Sequence, residues 1–178
     1  VGALYHDIGK MKNPYFFTEN QVNNMNLHAD LSSEQSAEII INHVLDGIEL
    51  ARKNNIPDRI IDFIRTHHGD SVVYYFYKQK ETESGEANPK DFQYPGPKPF
   101  SKETAILMMC DAVEAASKSL KDPTANKLND FVERIIDTQL KNNQFVNADI
   151  TLREIRDIKK VLKLKLNNMY HLRVEYPE

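Results

Sequence analysis

The sequence predicts an all-α fold, for three reasons. Hydrophobic residues recur at intervals of three or four positions, most clearly over residues 40–51 and 152–169, as they do on the buried face of a helix. Serine and threonine residues with the chemistry of helix N-caps precede several of these stretches. The chain contains no pair of alternating strand-like segments, no internal repeat and no low-complexity tract. We therefore expect a bundle of helices.

The first elements in chain order are a helix end, a loop and a long helix. Residues 3–10 predict the last turns of a helix, and residues 15–31 predict a polar loop rich in asparagine. Ser32 and Gln35 have the spacing of a capping box, in which each side chain bonds to the backbone N–H of the other residue. We expect a helix from this point to about Asn54.

Two shorter helices and a long loop follow. Pro57 stands at a first-turn position of a helix that we expect to end at Gly69. Residues 72–80 are rich in aromatic side chains and are locally ambiguous, but we predict a helix because the neighbouring segments are helical. Residues 81–100 contain many turn residues and predict a loop that is too long for a simple connection.

Three further helices complete the chain. Ser101 is a predicted N-cap for an apolar helix that runs through Leu120. An Asp-Pro pair at 122–123 breaks it, and the next helix runs to about Asn142. Thr151 is the predicted N-cap of the last helix, which carries a hydrophobic stripe on one side.

Size and composition narrow the class of protein. With 178 residues, 40% of them hydrophobic and 28% charged, the chain fits one soluble domain over residues 1–178. A net charge of −3 argues against binding to DNA or RNA polymers, and no run approaches the ~18 apolar residues of a membrane span. Because the chain starts at Val1 inside a motif-bearing segment, we interpret it as an N-terminally truncated piece of a longer protein.

A set of imidazoles and carboxylates is distributed over these helices. Both groups are ligands of divalent transition metals, and a carboxylate can bridge two ions. Two metals about 3.5–4 Å apart favour hydrolysis of phosphate esters. The candidate metal ligands are His6, Asp7, His43, His67, His68 and Asp111.

The spacing predicts that these ligands face inward. His43 follows Ile40 by three positions, His67 follows Ile64 by three, and Asp111 lies four after Leu107. Buried groups that carry or accept charge need partners, which metal ions would supply. Taken alone, each residue has an ordinary structural explanation, whereas the whole set facing one interior favours a dimetal centre.

Other polar and aromatic residues have weaker claims on a functional role. Lys10 follows His6 by four positions and would share its helical face, where its ammonium could bind a substrate phosphate. We expect His28 to lie at the rim of the site, and Cys110 to be a small core residue. Tyrosines 74, 75 and 77 are more typical of a core than of a surface that stacks on bases.

Four motifs together resemble the HD-domain metal phosphohydrolase superfamily: residues 5–10 (YHDIGK), 43–47 (HVLDG), 66–69 (THHG) and 111–115 (DAVEA). The likeness is greatest to the branch in which this domain is the cytoplasmic C-terminal part of a seven-helix membrane protein. The loop at 94–99 (YPGPKP) and the tail at 173–178 (RVEYPE) resemble that branch too. The resemblance covers essentially the whole chain.

The resemblance implies a cyclic di-AMP phosphodiesterase that forms the linear dinucleotide pApA. The expected cofactors are two divalent metal ions, iron or manganese, with a metal-bound hydroxide as the nucleophile. Asp7 would bridge the metals, His6 and Asp111 would serve one of them, and the second would take His43, His67 and His68. Lys10 would contact the substrate. The substrate partner is thus a cyclic dinucleotide, and the domain would lie at the cytoplasmic face of the membrane, which it touches only through segments that precede it.

Two departures from related proteins are informative. The family pattern has a further metal-binding histidine one helix before His6, upstream of this chain. A related branch that acts on cyclic di-GMP carries Gly-Tyr-Pro shortly after its histidine pair, whereas residues 69–74 here are GDSVVY, which argues against cyclic di-GMP.

Other functions stay open at this stage. Some HD-type proteins use a mixed-valent di-iron centre to oxidise a small substrate, so an oxygenase is one alternative. A nucleotide-binding sensor without turnover is another, and a purely structural helical domain is the third. The sequence predicts neither the oligomeric state nor the native metal.

Overall fold

The protein is all-α, as predicted. The computed structural model describes residues 1–21, 27–121 and 123–171, and within these ranges it contains helices and no strand, only one isolated bridge between Val72 and Gln93. The α-helices are α1 (Gly2–Tyr5), α2 (Ser33–Lys53), α3 (Asp58–Thr66), α4 (Tyr74–Ser84), α5 (Lys102–Ser117), α6 (Ala125–Lys141) and α7 (Leu152–His171). Short 3₁₀ helices span Ile8–Lys12, Pro14–Phe16, Thr18–Asn20 and Pro89–Phe92. The chain divides into two compact units, residues 1–98 and 99–178.

In the first unit, α2 is the element against which the other helices pack. Its N-terminus has the predicted capping box, because the Ser32 hydroxyl accepts from the Gln35 backbone N–H at 3.2 Å and the Gln35 side chain accepts from the Ser32 N–H at 3.0 Å. The 3₁₀ helix Ile8–Lys12, α3 and α4 all contact α2. This packing brings the segments that carry the candidate ligands of the first unit onto one helix.

Gly9 allows the 3₁₀ helix Ile8–Lys12 to lie directly on the backbone of α2. A Cβ atom built on Gly9 would be 1.8 Å from the carbonyl oxygen of His43 and 2.5 Å from the backbone nitrogen of Gly47. No side chain fits in this space. The contact sets the distance between the segment that carries Asp7 and the turn of α2 that carries His43.

Several boundaries differ from the predictions. The first segment is not a continuous helix end, because α1 stops at Tyr5 and a 3₁₀ helix begins at Ile8. The helix predicted to end at Gly69 stops at Thr66, and Pro57 is its N-cap. The predicted loop at 81–100 begins later, since α4 continues to Ser84. Part of the predicted loop at 15–31 falls on residues 22–26, and the tail at 173–178 also lies outside the described residues.

The second unit is a three-helix assembly with its own apolar core. Met109 and Val113 of α5 pack with Val132 and Ile136 of α6 and with Ile155 of α7. Ser101 and Thr124 cap α5 and α6, and the side chains of Thr151 and Glu154 form reciprocal bonds at the start of α7. In the part of the chain that the structure describes, no helix combines the length and apolarity needed to cross a membrane.

Candidate metal centre

Three different backbone environments position the ligands of the first unit. Asp7 lies at the junction between α1 and the 3₁₀ helix, with φ −103° and ψ 13°. His43 lies within α2, His67 is the C-cap of α3, and His68 follows in the turn. The helical spacing therefore holds for His43, but the histidine pair is presented by a helix end rather than by a helix face.

Four of the candidate ligands form one cluster: Asp7, His43, His67 and His68. Each offers one ligand atom, and the four atoms lie within 4.8 Å of one another. Asp7 Oδ1 is 3.3 Å from His43 Nε2 and 3.5 Å from His67 Nε2. The two Nε2 atoms are 3.1 Å apart. The His43 and His67 side chains are almost fully buried, so their ring nitrogens are shielded from bulk water.

Backbone carbonyls determine which ring nitrogen of each buried histidine carries the proton. His43 Nδ1 is 2.5 Å from the carbonyl oxygen of Ile40, and His67 Nδ1 is 2.7 Å from that of Ile64. A carbonyl oxygen only accepts, so in the neutral rings each Nδ1 must donate and each Nε2 must present a lone pair. The same arrangement fixes the tautomer in many metal-binding histidines.

The resulting arrangement of electron pairs suits a cation. Two Nε2 lone pairs and a carboxylate oxygen converge, and Asp7 Oδ1 is buried and accepts no hydrogen bond from the described residues. Buried lone pairs and a buried carboxylate oxygen repel one another and have lost their contact with water. A positive charge placed among them compensates for both effects. Imidazole nitrogen with carboxylate oxygen is the donor set of first-row transition metals. These residues therefore fit the metal ion that the sequence predicts.

The electrostatics of the cluster favour the protonation states in which its candidate ligands bind metals. Burial raises the pKa of Asp7, but the neighbouring side chains of His43, His6, His67 and Lys10 outweigh it and hold that pKa far below its usual range. Burial is the main reason that the pKa of His68 is lowered, and the neighbouring His67 and His43 lower it further. A carboxylate and a neutral imidazole are the forms that bind metals.

The second oxygen of Asp7 faces His6 and Lys10. His6 Nε2 is 3.2 Å from Asp7 Oδ2, and its Nδ1 is 2.8 Å from the carbonyl oxygen of Ala3. Lys10 Nζ is 2.8 Å from Asp7 Oδ2 and 2.5 Å from Glu19 Oε1. The prediction that Lys10 shares a helical face with His6 is wrong, because the α-helix stops at Tyr5. The 3₁₀ geometry places Lys10 beside Asp7 instead.

Sequence reasoning missed two residues at this centre. Glu19 is the second carboxylate that pairs with Lys10, and a contact between two separate short 3₁₀ helices leaves no periodic signal in the sequence. Tyr94 stacks on His68, with ring centroids 4.2 Å apart and ring planes 21° apart. The sequence did offer one signal for Tyr94. It lies in the Pro-Gly-Pro segment at 94–99, within the predicted loop at 81–100 that is too long for a simple connection.

The other candidate residues are not members of the four-residue cluster. His28 Nε2 is 2.9 Å from the carbonyl oxygen of Phe16, so its ring belongs to a neighbouring contact and not to the four-residue cluster. Tyr74 and Tyr75 are exposed, contrary to the expected core position. Asp111 lies in the second unit, on α5, where it is half-buried, and its role as a ligand stays a prediction. Cys110 is half-buried, and burial raises the pKa of its thiol.

The model of the HD domain family matches residues 1–116, about two thirds of the chain. The chain belongs to the HD domain family. Among curated relatives, this HD domain is 43% identical over its whole length to the cyclic-di-AMP phosphodiesterase PgpH of Listeria monocytogenes and 41% identical to that of Bacillus subtilis. It spans only a quarter of the length of those two proteins.

Solved structures agree with this family assignment. The HD domain has a TM-score of 0.92 to the crystal structure of the L. monocytogenes PgpH HD domain in complex with cyclic di-AMP, at 40% identity. That match covers 95% of this chain and 79% of the other. A second structure of the same L. monocytogenes domain gives a TM-score of 0.89.

Proposed function

We propose that this HD domain hydrolyses cyclic di-AMP to pApA and works as the cytoplasmic part of a larger membrane protein. The observation that carries the proposal is the convergence of Asp7, His43, His67 and His68 around a position that suits a cation. The named activity of two relatives at 41–43% identity supplies the substrate class. The crystal structure of the HD domain of one of these relatives, L. monocytogenes PgpH, in complex with cyclic di-AMP supports the same choice.

The proposed cofactors are two divalent transition metals, iron or manganese. His43, His67, His68 and Asp7 would hold one metal, and His6 and Asp111 are the further ligands that the sequence predicts. When bound, the metals supply Lewis acidity, which activates water and neutralises charge on the phosphate. The mixed nitrogen and oxygen donor set is compatible with several first-row metals, so iron or manganese is the family-based choice.

The protein residues contribute orientation and charge. The Ile40 and Ile64 carbonyls hold the His43 and His67 rings with Nε2 toward the centre. Asp7 stays ionised because its neighbours lower its pKa. An ammonium has three N–H groups, of which Lys10 uses two on Asp7 and Glu19. The third can donate to a non-bridging phosphate oxygen and stabilise the charge that develops there.

A turnover assay with metal-reconstituted full-length protein tests this function. We expect Mn²⁺ or Fe²⁺ to support conversion of cyclic di-AMP to pApA, and Asp7→Asn to lower the rate by roughly 100-fold or more, since even partners behind a metal ligand contribute ~10–100-fold. Asp46→Asn is the matched control, because Asp46 is also a carboxylate against the first 3₁₀ helix but pairs with Lys12. Unchanged turnover in Asp7→Asn would contradict the proposal.

The same assay separates the alternatives. A hydrolase works without oxygen, whereas an oxygenase requires it, so turnover under anaerobic conditions decides between them. A binding-only sensor would bind cyclic di-AMP but would not form pApA with any metal. Turnover that requires oxygen, or binding without turnover, would each contradict the proposed hydrolytic function.

A further inference from the structure

His68 differs from the other imidazoles of the cluster in how its ring is held. His6, His43 and His67 each direct Nδ1 to a backbone carbonyl three residues earlier. Among the described residues, no hydrogen bond involves the ring of His68; only its backbone carbonyl accepts, from the backbone N–H and the hydroxyl of Ser71. The orientation of this ring must therefore come from packing.

Tyr94 provides that packing. Its ring lies 4.2 Å from the ring of His68 at an interplanar angle of 21°, a stacked arrangement, and it meets His43 edge-on at 6.2 Å. Tyr94 is 8% exposed, so the stack is shielded from water. The ring of His67 is another close neighbour of His68, with ring centroids 3.9 Å apart and ring planes 46° apart. A ring with two aromatic neighbours at these distances has little freedom to turn about its Cβ–Cγ bond.

The backbone around Tyr94 is fastened to the segment that follows His68. The Tyr94 N–H donates to the Ser71 carbonyl at 2.9 Å, and the Val73 N–H donates to the Phe92 carbonyl at 2.8 Å. The Gln93 side chain donates to the Asp70 carbonyl at 2.8 Å. These bonds on both sides of the loop fix the distance between the two stacked rings, so the stack does not depend on side-chain packing alone.

We propose that Tyr94 is a positioning residue, which holds the His68 imidazole by ring stacking in the orientation that binds the metal. The proposal rests on the proposed function, because it takes His68 as a metal ligand. Stacking on the aromatic face of Tyr94 orients the His68 ring, as hydrogen bonds to backbone carbonyls orient the rings of His43 and His67. The ring, and not the hydroxyl, is the part that positions His68.

The test is Mn²⁺ binding, measured from the electron paramagnetic resonance of free Mn²⁺ during titration of metal-free protein. Residues behind a metal ligand typically contribute ~10–100-fold to metal affinity. We expect Tyr94→Leu to weaken Mn²⁺ binding by about that factor, and Tyr94→Phe to bind within about twofold of the parent. In the same proteins, ¹⁵N shifts of the His68 ring should change in Tyr94→Leu and not in Tyr94→Phe.

Tyr77→Leu is the matched control for lost aromatic packing. Tyr77 packs on Phe92, one of the residues bonded into the same loop, with ring centroids 5.9 Å apart. The Tyr77→Leu variant should have a lower melting temperature than the parent in the metal-free state, and its Mn²⁺ affinity should stay within about twofold of that of the parent. If Tyr94→Leu does not fold, Tyr94→Met replaces it as an unbranched apolar side chain without a ring.

The outcomes separate this inference from the function on which it rests. Parent-like Mn²⁺ affinity in a folded Tyr94→Leu or Tyr94→Met variant would overturn the positioning role and leave the metal centre intact. A loss of more than tenfold in Tyr94→Phe would overturn it too, because the hydroxyl would then be the active part. A parent protein that binds neither Mn²⁺ nor Fe²⁺ would contradict both the inference and the proposed function.

Discussion

Replacement of Gly9 by alanine should damage the metal centre from a residue that touches no ligand side chain. The new Cβ would stand 1.8 Å from the His43 carbonyl oxygen, about 1.6 Å short of the 3.4 Å of an ordinary contact. The obstructing atoms belong to the backbone of α2 and cannot rotate away. The 3₁₀ helix and α2 must therefore separate, which carries Asp7 away from His43 and His67.

The size of the effect follows from this displacement. Overpacking of this kind costs about 1–3 kcal/mol of stability. A misplacement of 1 Å at a reacting centre lowers activity by ~100-fold. We therefore expect Gly9→Ala to fold with a lower melting temperature and to bind Mn²⁺ weakly. Its rate of cyclic di-AMP hydrolysis should fall by ~100-fold or more.

Gly85→Ala provides the matched control. Gly85 has φ +76° and no atom within 4 Å of a built Cβ, so alanine there costs conformational strain of about 1–2 kcal/mol without a clash. Thermal unfolding and hydrolysis assays should give two destabilised proteins of which only Gly9→Ala loses activity. A Gly9→Ala protein with parental hydrolysis and Mn²⁺ affinity would refute the argument from close backbone contact.

The remaining predictions concern charges. Lys10→Ala should lower kcat for cyclic di-AMP more than it raises KM, because the role that we propose for the ammonium is to stabilise charge that develops in the transition state; a change in KM alone would contradict this role. Glu19→Gln should have a smaller effect in the same direction, since the amide oxygen still accepts from Lys10, and steady-state kinetics equal to those of Lys10→Ala would be inconsistent with it. Glu154, whose pKa is lowered to about 2 by Lys102 and Thr151, stabilises the fold while it is ionised. The difference in free energy of unfolding between the parent and Glu154→Gln should therefore be greatest above pH 4.5, and the part due to ionisation should be lost as the pH falls through about 2, as urea titrations would measure; a difference that is constant with pH would exclude this contribution.

Local sequence rules predicted the elements whose structure depends on near neighbours. The capping pair Ser32–Gln35 and the caps at Ser101 and Thr151 lie where side-chain chemistry and spacing placed them. The inward position of His43 followed from its spacing to Ile40 and Gly47. In these cases the determining contacts span three or four residues, so the sequence contains the relevant distance.

The rest of the site depends on contacts between distant segments. The 3₁₀ turn after Asp7 places Gly9 on the backbone of α2, at residues 34 or more positions away in the chain. Local spacing does not report such a contact, and the predicted helical face shared by His6 and Lys10 was wrong. Glu19 reaches the centre from a three-residue 3₁₀ helix and Tyr94 from a loop, and neither segment is long enough or regular enough for periodicity to predict side-chain orientation. The exposure of Tyr74 and Tyr75 was mispredicted for a related reason, since an aromatic cluster does not indicate which side of a helix is covered.

Anomalous diffraction from crystals of the Mn²⁺-loaded protein, collected at the manganese edge, tests the proposed metal centre most directly. We expect a peak within bonding distance of Asp7 Oδ1 and of Nε2 of His43 and His67. A metal-loaded crystal with the manganese bound elsewhere, and none between Asp7 and the two histidines, would contradict the proposed centre.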